Sequence, residues 1–187
     1  MKDRTAIVGI GATPFAKRLE PSETELACVA IRDALDDAGI DPSEVDALAS
    51  FTMEETDETE VARNLGFGDI TYFSKVGYGG GGGCATVFHL AAAIASGQAS
   101  VGVAWRSRKR GSGARPWATV GERLDDMWKY SRPYGLVRPA DEIAVLMRRY
   151  MHEFGATRDH LANVALACRS MANRNPAAIM HDRPLTR

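Results

Sequence analysis

The sequence predicts an α/β protein, a mostly parallel sheet with helices on both faces, followed by a loop-rich region with two further helices. Three observations predict it. Strand-like and helix-like segments alternate as far as about residue 106. Residues 22–38 form an amphipathic helical pattern with a start and a stop signal. Residues 79–83 are an unbroken run of five glycines that opens directly onto an apolar helical stretch, ATVFHLAAAIA (85–95).

Taken in order, residues 5–10 read as a buried strand that ends in GIGATP (9–14). The Gly-x-Gly is not a dinucleotide fingerprint, because Pro14 stands where the third glycine belongs and no helix follows directly. In the helix over 22–38, Ser22 is the N-cap with Glu25 three residues on, and Gly39 is the stop. Leu26, Val29, Ala30, Leu35 and Ala38 supply its apolar stripe. A turn over 41–44 leads to a second strand over 45–52. Residues 54–60 are an acidic run that reads as a solvated face leading into a short helix, 59–65. A third strand covers 70–76, a third helix 85–96 and a fourth strand 101–105. The third helix is apolar almost all round, which predicts burial in the centre of the molecule. Beyond it the chain turns basic (106–115), then loop-like and aromatic with Trp117, Trp128, Tyr130 and Tyr134. Helices over 141–154 and 158–173 follow. The predicted domains are 1–106 and 107–187.

The chain has 187 residues, 45% of them hydrophobic, enough to bury a core. A formal net charge of −1 argues against a general nucleic-acid binder or a binder of anionic membranes. The first ten residues lack the long apolar run and cleavage site of a signal peptide. No stretch is long enough to span a bilayer. Cys28, Cys84 and Cys168 are odd in number and widely spaced, which fits neither a disulfide framework nor zinc spacing. A cytoplasmic protein without a metal is expected.

The glycine run carries the strongest functional signal. Glycines at a helix start present free N–H groups and the positive end of the dipole to an oxyanion, a thioester carbonyl or a phosphate. A closely packed turn is the alternative. Tyr78 borders the run and either lines a pocket or packs. His89 interrupts the apolar helix, as an acid or base or as a hydrogen-bonded core residue. Arg106, Arg108, Lys109, Arg110 and Arg115 suit coenzyme A phosphates, an acidic partner, or plain solvent. His152 has no second histidine four residues on, so it is not a zinc-protease motif. His160 and His181 read as surface residues.

Several segments in this order resemble the thiolase superfamily, and within it the sterol-carrier-protein type. They are AIVGIGATPF (6–15), Glu25-Leu26, DDAGIDPSEVD (36–46), the glycine run with its helix ending at Gly97, RYMHEFG (149–155) and NRNPA (173–177). The resemblance covers nearly the whole chain. It implies a thiolase-like N-terminal half with part of a loop domain, and dimer pairing through the strand at 70–76. Thiolases place a nucleophilic cysteine at the start of the central helix. Counted back from Gly97, that place falls on Gly81, with Cys84 three residues late and inside the first helical turn as a small buried residue.

With the nucleophile gone, the chain resembles the lipid-transfer proteins that act as aldolases in steroid side-chain breakdown. The resemblance implies retro-aldol cleavage of a β-hydroxyacyl-CoA. Gly81, Gly82 and Gly83 would form a backbone oxyanion pocket, and Tyr78, Cys84, His89, Arg106 and Arg110 would contact substrate. Coenzyme A would enter only as part of the substrate, with no separate cofactor. A small partner of OB-fold and zinc-ribbon type is implied as well. The general base is expected in the C-terminal half that thiolases have and this sequence lacks. Two alternatives stand beside the lyase: a non-catalytic acyl-CoA-binding or structural subunit, and a true thiolase using Cys84. A valine at Gly82 is expected to harm catalysis far more than folding.

Overall fold

A computed structural model describes residues 3–16, 18–51, 55–77, 81–109 and 128–187. The chain divides into two compact units, Met1–Gly113 and Ala114–Arg187.

Among the described residues the first unit is built on three parallel strands, β1 (Ala47–Phe51), β2 (Tyr72–Val76) and β3 (Gly102–Ala104), in the order β2-β1-β3. The central strand β1 is buried along its whole length, and its alternating side chains serve two cores. Ala47 and Ala49 face helix α3 (Gly82–Ala95), with Leu90, Ala93 and Ala99. Leu48 faces helices α1 (Glu23–Ala38) and α2 (Glu58–Leu65), with Ala27, Ile31, Leu35, Val61 and Leu65. Helices on both faces of a parallel sheet follow from this two-sided burial.

Local signals set the helix ends. Glu25 N donates to the Ser22 side chain at 3.0 Å, and Gly39 stops α1 at φ 66°. Asp57 caps α2, accepting from Glu60 N at 2.9 Å. At the foot of the sheet the Asp46 carboxylate accepts Ser100 N at 2.8 Å and Val101 N at 2.9 Å, while its carbonyl accepts Thr71 N at 2.8 Å. One residue thus ties the starts of all three strands.

Several expectations are corrected. Residues 5–10 form no strand, and Ile7, Val8 and Ile10 are exposed. The segment lies on α1, where a Cβ at Gly9 or Gly11 would meet the carbonyls of Ala34 or Ala30. Bare glycine backbone is what lets it approach the Ala30/Ala34/Ala38 side of the helix. Val29 is exposed, and the sheet-facing stripe of α1 is Leu26, Ala27, Ile31 and Leu35. Helix α3 is not buried all round: Gly82, Thr86, Leu90 and Ala93 are covered, whereas Val87 and Phe88 are open. Its composition reports a second apolar face that nothing in the described chain covers.

The second unit carries the short helix α4 (Trp128–Ser131), then α5 (Pro139–Phe154) and α6 (Arg158–Asn173). Asp141 caps α5, accepting Arg138 N at 2.9 Å and the Arg138 guanidinium at 2.8 Å. The guanidinium hydrogen bond and the backbone amides hold its carboxyl at about 2. His160 is exposed, as expected, and its Nδ1 accepts Thr157 N at 3.0 Å at the start of α6. The tail folds back on α6, with Asn173 Nδ2 donating to His181 O at 2.6 Å and Arg169 to Arg183 O at 2.6 Å. No residue of α5 or α6 is buried, and Leu146, Phe154, Val164 and Met171 are among the exposed apolar side chains.

Candidate functional site at the start of helix α3

Parallel α/β sheets open their binding crevice at the carboxyl ends of the strands. Here β1 ends at Phe51, β2 at Val76 and β3 at Ala104, and α3 begins at the same end. Gly81 is its N-cap, with helical φ −81° and ψ −13° and no side-chain cap. The first intrahelical bond runs from Ala85 N to Gly81 O at 3.1 Å. The amides of Gly82, Gly83 and Cys84 therefore project from the helix end without intrahelical acceptors.

The three glycines differ in their surroundings. A Cβ at Gly82 would lie 2.2 Å from Phe51 Cε2, inside a ring that is only 5% exposed. At Gly81 and Gly83 a Cβ would have no described atom within 4 Å. On another side of Phe51, the Arg106 guanidinium carbon sits 5.0 Å from the ring centroid. One aromatic ring thus touches the first turn of α3 and holds an exposed cation, a contact that stabilises it by cation–π attraction. Sequence reasoning missed Phe51, an apolar residue near the end of the strand over 45–52 with nothing in its neighbours to mark it.

The other proposed contacts separate. Cys84 lies in the first helical turn as expected, but it is exposed rather than buried. His89 is seven residues down the helix, about 10 Å along its axis from Gly82. There its Nδ1 meets Ser74 Oγ at 2.7 Å, the hydrogen-bonded alternative. Tyr78 and Arg110 lie outside the described residues, as does Arg115.

The basic cluster is largely spent internally. The Arg108 side chain is 8% exposed and pairs with Glu55 and, at 3.8 Å, with Glu23. Lys109 donates its backbone N–H to Glu23 at 2.6 Å and its ammonium to the Glu20 carbonyl at 3.3 Å. Arg106 has no carboxylate partner among the described residues. Nor is the acidic run simply solvated. Glu58 turns inward to accept the buried Ser50 hydroxyl at 2.6 Å and the Lys75 ammonium at 3.1 Å. Burial pushes its carboxyl up, but the Ser50 hydroxyl, its own backbone N–H and Lys75 outweigh that and leave it below its ordinary value. Ser50 and Lys75 are paired in register on β1 and β2, which brings all three groups to one face of the sheet.

The thiolase N-terminal domain model matches residues 5–183. The chain belongs to the thiolase family. It is 44% identical to a steroid side-chain-cleaving aldolase of Thermomonospora curvata, across 97% of this chain and 48% of that protein. It is 45% identical to a 17-hydroxy-3-oxo-4-pregnene-20-carboxyl-CoA lyase of Mycobacterium tuberculosis, across 100% of this chain and 50% of that one. Among solved structures it superposes on the Ltp2-ChsH2(DUF35) aldolase with a TM-score of 0.88 at 44% identity, covering 97% of this chain and 46% of that one. The chain therefore spans about half the length of the curated relatives it matches. Among the described residues no helix is long and apolar enough to cross a membrane.

Proposed function

We propose that this chain is the N-terminal half of a carbon–carbon lyase that cleaves a β-hydroxyacyl-CoA by a retro-aldol reaction, with a steroid side-chain thioester as substrate. The observation that carries the reading is a thiolase N-terminal domain 44–45% identical to an aldolase and a CoA lyase; the count from Gly97 that puts Gly81 in place of the nucleophile supports it. A base takes the β-hydroxyl proton, and the hydroxyl carbon becomes a ketone. The Cα–Cβ bond breaks, and its electron pair passes into the thioester as an enolate. That enolate then takes a proton at Cα to leave a shortened acyl-CoA. No covalent nucleophile is required.

The chain supplies stabilisation of the enolate oxygen. The amides at the start of α3 and the Arg106 guanidinium over Phe51 are donors and charge fixed before the reaction, the kind of preorganisation that lowers such barriers. The base belongs to a part of the enzyme outside this chain, and coenzyme A is carried by the substrate, with no further cofactor. A homodimer paired along the free edge of β2, together with a small acyl-CoA-binding partner protein, completes the proposed assembly. The solved relative's title joins two names, Ltp2 and ChsH2(DUF35), which supports a partner.

The test gives the full-length protein and its partner a steroid β-hydroxyacyl-CoA without free coenzyme A. A steroid ketone and a short acyl-CoA in equal amounts are expected. Persistence of the substrate under these conditions would overturn the lyase reading and leave the non-catalytic subunit and the thiolase using Cys84.

A further inference from the structure

Side chains on β1 alternate between its two faces, and the alternation ends on a serine and an aromatic ring. Ala47, Ala49 and Phe51 turn toward α3, whereas Leu48 and Ser50 turn toward the helices on the other side. Ser50 is wholly buried, and a buried hydroxyl costs stability unless it is paired. Its partner is Glu58, the first residue of α2. One carboxylate oxygen, Glu58 Oε1, accepts from Ser50 Oγ at 2.6 Å and from Lys75 Nζ at 3.1 Å. Three elements thus meet on a single atom at the carboxyl end of the sheet. Leu48, two residues earlier on the same face, packs without any polar partner, so the core itself does not call for a carboxylate. A satisfied polar network kept in such a place specifies geometry more than it adds stability.

We infer that Glu58 is a positioning residue for the lyase reaction: by holding Ser50 and Lys75 on one oxygen it fixes the end of β1, and with it the Phe51 ring that seats the first turn of α3 and carries Arg106. This rests on the lyase reading and adds to it a residue that touches no substrate. The path is short. Phe51 follows Ser50 directly and turns to the opposite face, where its ring fills the side-chain space of Gly82 and lies 5.0 Å from the Arg106 guanidinium carbon. Ser50 and Lys75 are in register, as are Phe51 and Val76, so the clamp stands one residue before the last pair of the β1–β2 ladder. Without it the end of β1 gains freedom to twist, and the ring moves with it.

The experiment uses the full-length protein with its partner and compares wild type, Glu58→Gln and Ser50→Ala, each also combined with Phe51→Leu. Asp46→Asn, which weakens the opposite end of the sheet, controls for lost stability alone. With a steroid β-hydroxyacyl-CoA, kcat and KM are read. Without substrate, the rates at which iodoacetamide alkylates the exposed Cys84, in the first turn of α3, and the exposed Cys168, on α6, are read by peptide mass spectrometry. Expected in Glu58→Gln and Ser50→Ala is a kcat lowered by about tenfold with KM unchanged, since a misplacement of about 1 Å costs on the order of 100-fold. The Cys84 rate should change and the Cys168 rate should not. In the Phe51→Leu background the same substitutions should add little further loss, because both release the same ring. Asp46→Asn should lower Tm and leave kcat unchanged. The inference is overturned by an unchanged kcat or an unchanged Cys84 rate in both variants, by losses that multiply in full with that of Phe51→Leu, or by an equal loss of kcat in Asp46→Asn. A wild-type protein that cleaves no steroid thioester defeats the lyase reading itself, an outcome separate from an active wild type whose kcat survives Glu58→Gln.

Discussion

The ring of Phe51 occupies the volume that a side chain on Gly82 would need, with Cε2 2.2 Å from the ideal Cβ position. Phe51 is buried and also stacks beneath Arg106, so the ring has little freedom to move aside. Gly82→Val is thus a folding mutation, contrary to the sequence-based expectation. It should cost about 1–3 kcal/mol by overpacking, read by urea denaturation. Phe51→Ala together with Gly82→Ala should be less destabilising than the sum of the single changes, because each removes the other's obstruction. Strict additivity would contradict the contact.

Asp46 joins the starts of the three strands. Asp46→Ala leaves the amides of Ser100 and Val101 without their carboxylate. A loss on the order of 2 kcal/mol is expected, since hydrogen bonds to charged groups lie in that range. Asp46→Asn should recover part of it, because its amide oxygen still accepts. Equal stability of the alanine and wild-type proteins would remove Asp46 from this role.

Glu58 gives a pH dependence of definite sign. Its folded pKa lies below its ordinary value of 4.5, because Ser50, its own amide and Lys75 overcome the upward push of burial. The stabilisation is therefore complete above that value and is lost as pH falls through the folded pKa. Glu58→Gln should flatten this acid limb of a Tm-versus-pH profile while leaving its slope near neutrality unchanged. An identical acid limb in both proteins would show that Glu58 titrates as an isolated side chain.

Much of this was legible in the sequence, and the failures have physical causes. Ser22 and Gly39 act through local chemistry, so both ends of α1 were readable, whereas the Asp57 cap of α2 was hidden in the acidic run. The two-sided burial of β1 was not, since alternation between two apolar cores leaves no polar face to see. Residues 5–10 have strand-like composition, yet without a strand beside them among the described residues they lie on α1 instead. At the site, the glycine run announced close approach but could not say to what. Only the geometry separates Gly82, pressed by Phe51, from Gly81 and Gly83. The charge runs misled because Glu58, Arg108 and Lys109 find partners distant in sequence.

Cys84 is exposed in the first turn of α3, so access alone does not prevent it from reacting. In the lyase reading it is not a nucleophile. Cys84→Ala should retain most of the activity of the full-length enzyme, and mass spectrometry after exposure to an acyl-CoA should find no acyl group on this residue. Stoichiometric acylation with loss of activity in the alanine variant would restore a thiolase mechanism.

Among the described residues β2 is an edge strand, and it bears the exposed Phe73, with Phe88 open on α3. Sedimentation velocity should find a dimer of the full-length protein, shifted toward monomer by Phe73→Glu. A wild-type monomer across a wide concentration range would contradict pairing at this edge.

The central claim is cleavage without thiolysis, and isotope incorporation tests it most directly. The full-length protein and its partner are given a steroid β-hydroxyacyl-CoA in D2O with no free coenzyme A, and the products are weighed by mass spectrometry. The account predicts a steroid ketone and a short acyl-CoA carrying one solvent deuterium at its α-carbon, from protonation of the enolate. Unchanged steroid thioester, or a short acyl-CoA without solvent deuterium at its α-carbon, would contradict it.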